Sequence, residues 1–224
     1  MITTAQKKKI IEIVNVFETG SREGKYDALV IFPDGKGGSR QITYGRSQTT
    51  EQGNLRNLLE RYIELDGTFA SAFEPFMPKV GKVPLVDNQV FKQLLKDSGK
   101  QDPVMRAAQD EIFEVLYFQP AFHFFNAEGF TLPLSLLVIY DSYIHSGSVP
   151  SLLRNRFAER TPVRGGNEKV WVEDYSEVRR DWLATHKRKI LHATAVRPKT
   201  FLAQMAKGNW DLSAPVTTQG ITIP

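Results

Sequence analysis

The chain has 224 residues, 41% of them hydrophobic and 24% charged, an ordinary composition for a soluble globular protein. It contains no cysteine, which excludes a disulfide framework, thiolate metal ligation and a cysteine nucleophile. The formal net charge of +4 is mild for this length; it permits an anionic polymer as partner and does not require one.

In chain order, residues 1–18 carry a lysine run that leads into a periodic helix. No small-residue cleavage site follows, so the segment does not read as a signal peptide. Ile10, Ile13, Val14 and Phe17 fall at i, i+3, i+4 and i+7, one apolar stripe of a helix, with Gly20 as its stop. Residues 28–32 (ALVIF) read as a strand, 33–38 (PDGKGG) as a turn and 40–44 as the return strand. Leu55, Leu58, Leu59, Tyr62 and Ile63 predict the next helix. Further helices are predicted over 90–95, 104–117, 132–145, 173–191 and 201–207, before an extended tail. The helix over 132–145 is apolar nearly all round and should be central and buried. Its run LPLSLLVIY is far shorter than the roughly 20 residues a membrane span needs. The basic clusters 7–9 and 186–189 read as solvated helix faces. The expected class is therefore α+β, predominantly helical, with one small antiparallel sheet.

Glu18 ends the first helix, where the negative end of the helix dipole and an apolar neighbour would favour its protonated form. Asp34 lies in the turn after a hydrophobic strand. Two carboxylates on separate elements are what glycosidic cleavage needs, one protonated and one ionised. The plainer alternatives are a surface glutamate at a frayed helix end and a common exposed D-G turn, with Asp27 as a competing second carboxylate. Ser39 and Thr43 are candidates to hold a water. Asp141 lies inside the apolar helix; a buried carboxylate must be paired, and Arg179 and Arg197 are the arginines placed beside it. The four histidines have no partners at metal-ligand spacing, so no metal and no cofactor are expected. No serine elbow, phosphate loop, dinucleotide fingerprint or EF-hand loop occurs.

The segments FE (17–18), DGKGG (34–38), YFQPA (117–121), YDSYIHSG (140–147), RTPVRGGNE (160–168), EVRRDWL (177–183) and GNWDL (208–212) stand in an order and spacing that resemble the family 46 chitosanases of the lysozyme-like superfamily. The resemblance implies a single catalytic domain over residues 1–224, with two mostly helical lobes around a substrate cleft and the small sheet beside it. It implies endo-hydrolysis of chitosan with inversion, Glu18 matching the general acid and Asp34 the general base. Ser39 or Thr43 would match the threonine that helps hold the water. Asp141, Arg179 and Arg197 match a buried Arg–Asp–Arg network. Asn54 stands where the family has a substrate-binding aspartate, so one anionic contact is lost. The hairpin is shifted by a residue against the family pattern.

Chitosan is polycationic, so local carboxylates matter more than the total charge. Glu18, Asp27, Asp34 and Glu51 could make one wall acidic, and Tyr44 could pack on sugar faces. Asp27, Tyr44 and Asn54 are thus the candidate substrate contacts. Two other functions compete. One is a peptidoglycan-cleaving muramidase, suggested by ITYGRSQT (42–49) and the basic surface. The other is a non-catalytic polysaccharide-binding module. Neither nucleic acid nor a membrane is an expected partner, and a monomer is expected. The resemblance implies secretion, although this chain shows no cleaved export signal.

Overall fold

The computed structural model describes residues 1–46 and 48–224; Ser47, inside the ITYGRSQT segment, lies outside the described residues. In chain order come α1 (Thr4–Thr19), β1 (Leu29–Phe32), β2 (Gln41–Tyr44), β3 (Thr49–Thr50), α2 (Leu55–Glu64), α3 (Ala70–Phe73), α4 (Gln89–Gln101), α5 (Pro103–Phe113), α6 (Gln119–Ala127), α7 (Pro133–Ser146), α8 (Ser151–Arg154), α9 (Glu168–Ala184), α10 (Val196–Ala206), β4 (Val216–Thr218) and β5 (Ile221–Ile223). The predicted class, helical with small antiparallel sheets, is the class found. The chain forms two compact units. A terminal unit holds residues 1–23 and 116–224, and an inserted unit holds 24–115.

In the terminal unit, α1 starts at a capping box. Thr3 Oγ1 accepts from the Gln6 N–H at 3.2 Å and Gln6 Oε1 accepts from the Thr3 N–H at 2.9 Å. It stops at Gly20, whose φ of 65° is the left-handed value that favours glycine. Ile10, Ile13 and Val14 are buried as predicted, and α1 packs on α7. Residues 133–142 of α7 are all buried, with α6, α9 and α10 on its other sides. Glu168 fixes where α7 begins, accepting from the Thr131 and Leu132 N–H groups and the Ser135 hydroxyl. Lys9 departs from the solvated face expected of the lysine run. It is buried, and its ammonium donates to the Leu212 and Ala214 carbonyls at 2.7 Å each. Burial pushes its pKa down against the pull of Asp211 and Glu12.

Several helix limits differ from prediction, for local reasons. The helix predicted over 104–117 ends as α5 at Phe113, and a π-helical stretch, Glu114–Phe118, carries the chain from α5 into α6, where Pro120 needs no donor. Asn167 caps α9, so that helix starts at Glu168 and ends at Ala184, and a 3₁₀ segment (Lys189–Ala195) leads into α10. The tail is a hairpin, turned by Gln219 and Gly220, both with positive φ.

The inserted unit is the sheet β1-β2-β3 with α2–α5. Leu29 pairs with Tyr44, Val30 with Thr43, Ile31 with Ile42 and Phe32 with Gln41. Alternation gives Leu29, Ile31, Ile42 and Tyr44 to the core shared with Leu58, Tyr62, Phe91 and Leu95. Val30, Phe32, Gln41 and Thr43 share the opposite face. Two buried acids tie the loops. Asp102 accepts from Tyr62 Oη at 2.5 Å and from the Thr68 and Val104 N–H groups. Glu51 accepts from the N–H groups of Ile42 at 3.3 Å and Leu85 at 2.5 Å. Helix α4 runs on past the predicted 90–95, because Ser98 and Gly99 are buried and Gly99 meets the Tyr26 carbonyl, where a Cβ would lie 2.3 Å away.

Candidate active site

In the terminal unit, α1, α7, α9 and α10 each contribute one member of a charged chain. Asp141, fully buried on α7, accepts from Arg179 Nη1 at 2.7 Å through Oδ2 and from Arg197 Nη1 at 2.7 Å through Oδ1. Arg197 Nη2 donates in turn to Glu18 Oε1. Burial alone would push the Asp141 carboxyl up; Arg179 and Arg197 outweigh it and hold the group below the ordinary carboxylate range. Burial likewise opposes the charge on Arg197, but Glu18 and Asp141 raise its pKa above the ordinary guanidinium value. The apolar surround expected for Glu18 is not what the structure holds. The Phe17 ring packs edge-on to Phe201 and lies 5.3 Å from the Arg197 guanidinium, and the Glu18 carboxylate meets that cation.

His145, one helical turn beyond Asp141, is a member that the sequence did not single out. Burial first, then Arg197 and Arg179, push its pKa down to about 4, with Asp141 pulling the other way. The signal was its i+4 spacing from the buried acid.

In the inserted unit, Asp34 is exposed, and its Oδ1 accepts from Gln41 Nε2 at 3.0 Å. Asp34 precedes a 3₁₀ segment, Lys36–Gly38, in which Gly37 and Gly38 have positive φ. Ser39 Oγ accepts from Gln52 Nε2 at 2.9 Å. Thr43 is buried on the same sheet face as Gln41, and its Oγ1 has no hydrogen-bond partner among the described residues. Asp27 is exposed, and Asn54, half-buried, precedes α2 without capping it through its side chain.

Two expectations are corrected. Tyr44 is 1% exposed and donates its hydroxyl proton to the Leu95 carbonyl at 2.6 Å, so its ring belongs to the core and is closed to a sugar face. Glu51 is 2% exposed and spends its oxygens on backbone N–H groups, so it adds no acidity to a binding surface. Among the described residues, no group of three or more His, Asp or Glu side chains is placed to hold a metal ion.

The family model for glycosyl hydrolase family 46 matches residues 12–216. The chain belongs to this family. A chitosanase of Bacillus subtilis (strain 168) is 28% identical, over 94% of this chain and 80% of the relative. The native chitosanase of Bacillus subtilis MY002 superposes with a TM-score of 0.84 at 22% identity, covering 100% of both chains. The Gynuella sunshinyii family 46 chitosanase, solved with chitotetraose, superposes with a TM-score of 0.83 at 24% identity, over 100% of this chain and 98% of that one. These likenesses fix the fold, which is lysozyme-like as the resemblance implied. The family 46 protein is thus a glycoside hydrolase, and the carboxylates just described are its candidate catalytic groups.

Two expectations about stability follow from the network. Asp141→Ala leaves the buried Arg179 guanidinium without its acidic partner and Arg197 with Glu18 alone, and should cost about 3–5 kcal/mol, whereas Asp34→Ala should cost no more than about 1 kcal/mol. Urea midpoints of the two variants check this, and equal midpoints would contradict it. His145 concerns pH. The unfolded chain takes up its proton below about pH 6.5 and the folded chain only below about 4, so stability falls as pH drops through that window. The wild type should lose about 1–2 kcal/mol more than His145→Gln between pH 7 and pH 5. The same loss in both proteins would show that His145 is not the group responsible.

Proposed function

We propose that this glycoside hydrolase is an endo-acting chitosanase that cleaves β-1,4 bonds with inversion. Glu18 is the general acid and Asp34 the general base. The observation that carries the reading is the placement of Glu18. Its carboxyl is held by Arg197, which is itself anchored on the buried Asp141, so the acid has a fixed position on a rigid helical body. Protonated Glu18 gives its proton to the glycosidic oxygen as the C1–O bond breaks. Asp34, ionised, takes a proton from the water that attacks C1 from the opposite face, and the new anomeric hydroxyl is α. Thr43 is the better candidate than Ser39 to hold that water. The Ser39 hydroxyl is already engaged by Gln52, while Thr43 Oγ1 has no partner among the described residues and lies on the Gln41 face.

Asp27, exposed beside the sheet, and Asn54 remain the proposed substrate contacts, attracting and hydrogen-bonding glucosamine units. In this reading the whole chain, residues 1–224, is one catalytic domain. Action on an extracellular polymer fits the family. Among the described residues, no helix is long and apolar enough to cross a membrane.

The test is Glu18→Gln, which keeps the shape and removes the proton. It should lower reducing-end release from chitosan by at least about two orders of magnitude with the fold intact. Proton NMR of wild-type digests in the first minutes should show the α-anomer in excess. Near wild-type turnover by Glu18→Gln, an initial β-anomer, or release from peptidoglycan but not chitosan would overturn the assignment.

A further inference from the structure

An aspartate in an exposed glycine-rich turn has no reason to hold one rotamer, yet Asp34 is restrained. The restraint is a pair of glutamines. Gln41 is 5% exposed at the start of β2. Its Nε2 donates to Asp34 Oδ1 at 3.0 Å, and its Oε1 accepts from the Gln52 backbone N–H at 3.1 Å. The two ends agree on how the amide lies. A backbone N–H can only donate and a carboxylate can only accept, so the oxygen must face Gln52 and the NH₂ must face Asp34.

The second amide repeats the arrangement. Gln52 Oε1 accepts from the Lys36 N–H at 2.7 Å, and its Nε2 donates to Ser39 Oγ at 2.9 Å. The turn from 34 to 39 is thus gripped at Asp34 by Gln41 and at Lys36 and Ser39 by Gln52. The grip is close, since a Cβ at Gly35 would lie 2.6 Å from Ser39 Oγ and 2.7 Å from Gln52 Nε2. Glu51, next to Gln52, fixes this segment through the Ile42 and Leu85 N–H groups.

We propose that Gln41 is a positioning residue for the base. Its amide engages Oδ1 of Asp34 and directs Oδ2 to the attacking water, and Gln52 holds both that amide and the turn in register. The inference rests on the assignment of Asp34 as general base.

Three variants, each assayed on chitosan from pH 4 to 8, decide it. Gln41→Leu removes the donor and should lower kcat about tenfold, with KM within about twofold, because a misaimed base affects the chemical step more than binding. Gln41→Glu keeps the shape but sets a second carboxylate against Asp34. Two carboxylates at that range share a proton, so the acidic limb of the kcat profile should move up by about one pH unit or more. A role confined to holding the sheet together would lower stability without moving that limb. Asp34→Asn separates the two readings. If it is inactive while Gln41→Glu keeps the wild-type kcat and limb, the positioning role fails and the base stands. If Asp34→Asn hydrolyses chitosan at the wild-type rate, both fail. Gln41→Glu is nearly isosteric, so it gives the answer even if Gln41→Leu does not fold.

Discussion

A carboxylate with no exposed surface in the middle of an apolar helix is the constraint on which the terminal unit depends. Asp141 is tolerable there only because two guanidiniums reach it, one from α9 and one from α10. Two arginines against one aspartate would leave a surplus cation in the same low-dielectric region. Glu18, arriving at the end of α1, meets Arg197 and offsets that surplus whenever its carboxyl is ionised. The position of the candidate acid is therefore tied to charge balance as well as to packing. Four helices far apart in sequence are held by one chain of ion pairs, so a stability requirement also sets where the Glu18 carboxylate stands. His145 pays for that neighbourhood by staying uncharged, since another cation beside Arg179 and Arg197 is disfavoured.

The inserted unit solves a different problem. It holds an exposed carboxylate, Asp34, on a short turn. Its acids accordingly fall into two kinds. Asp102 and Glu51 are buried and their oxygens are taken by backbone N–H groups and a tyrosine hydroxyl, so they act as fasteners. Asp27 and Asp34 are exposed and remain available to a ligand. The same division separates Tyr44 from a sugar-stacking role: alternation along β2 turns it toward the core and leaves Gln41 and Thr43 on the face that Asp34 adjoins. Neutral amides suit the task of restraining the turn, because they donate and accept without adding charge next to Asp34.

What was legible in the sequence was local. The stripe Ile10, Ile13, Val14 and Phe17, the glycine after it, the strand–turn–strand over 28–44 and the all-apolar helix around Asp141 each follow from periodicity or from one residue's conformational preference. The misread limits came where tertiary structure overrules a local rule. Pro120 ends a helix only if the backbone cannot absorb it, and the π-helical stretch before it does so. Polar Ser98 and Gly99 end an amphipathic stripe but continue α4, because they are packed against another backbone. The lysine run looked solvated because periodicity does not reveal that two carbonyls of the tail await Lys9.

By itself the sequence determined the class of the fold and the presence of a buried acid that needs cationic partners, and it supplied Glu18 and Asp34 as candidate carboxylates. These depend on residue type and on spacings of one to seven residues, where geometry is set by helix and strand periods. Arg179 and Arg197 are the partners expected of Asp141 from the sequence, and both meet it; only the tertiary structure decided that Arg197 carries the connection on to Glu18, that Glu51 and Tyr44 belong to the interior, and that Gln41 reaches Asp34. Those are meetings between positions up to 179 residues apart, and neither hydrogen-bond direction nor burial is encoded in any short window of the chain.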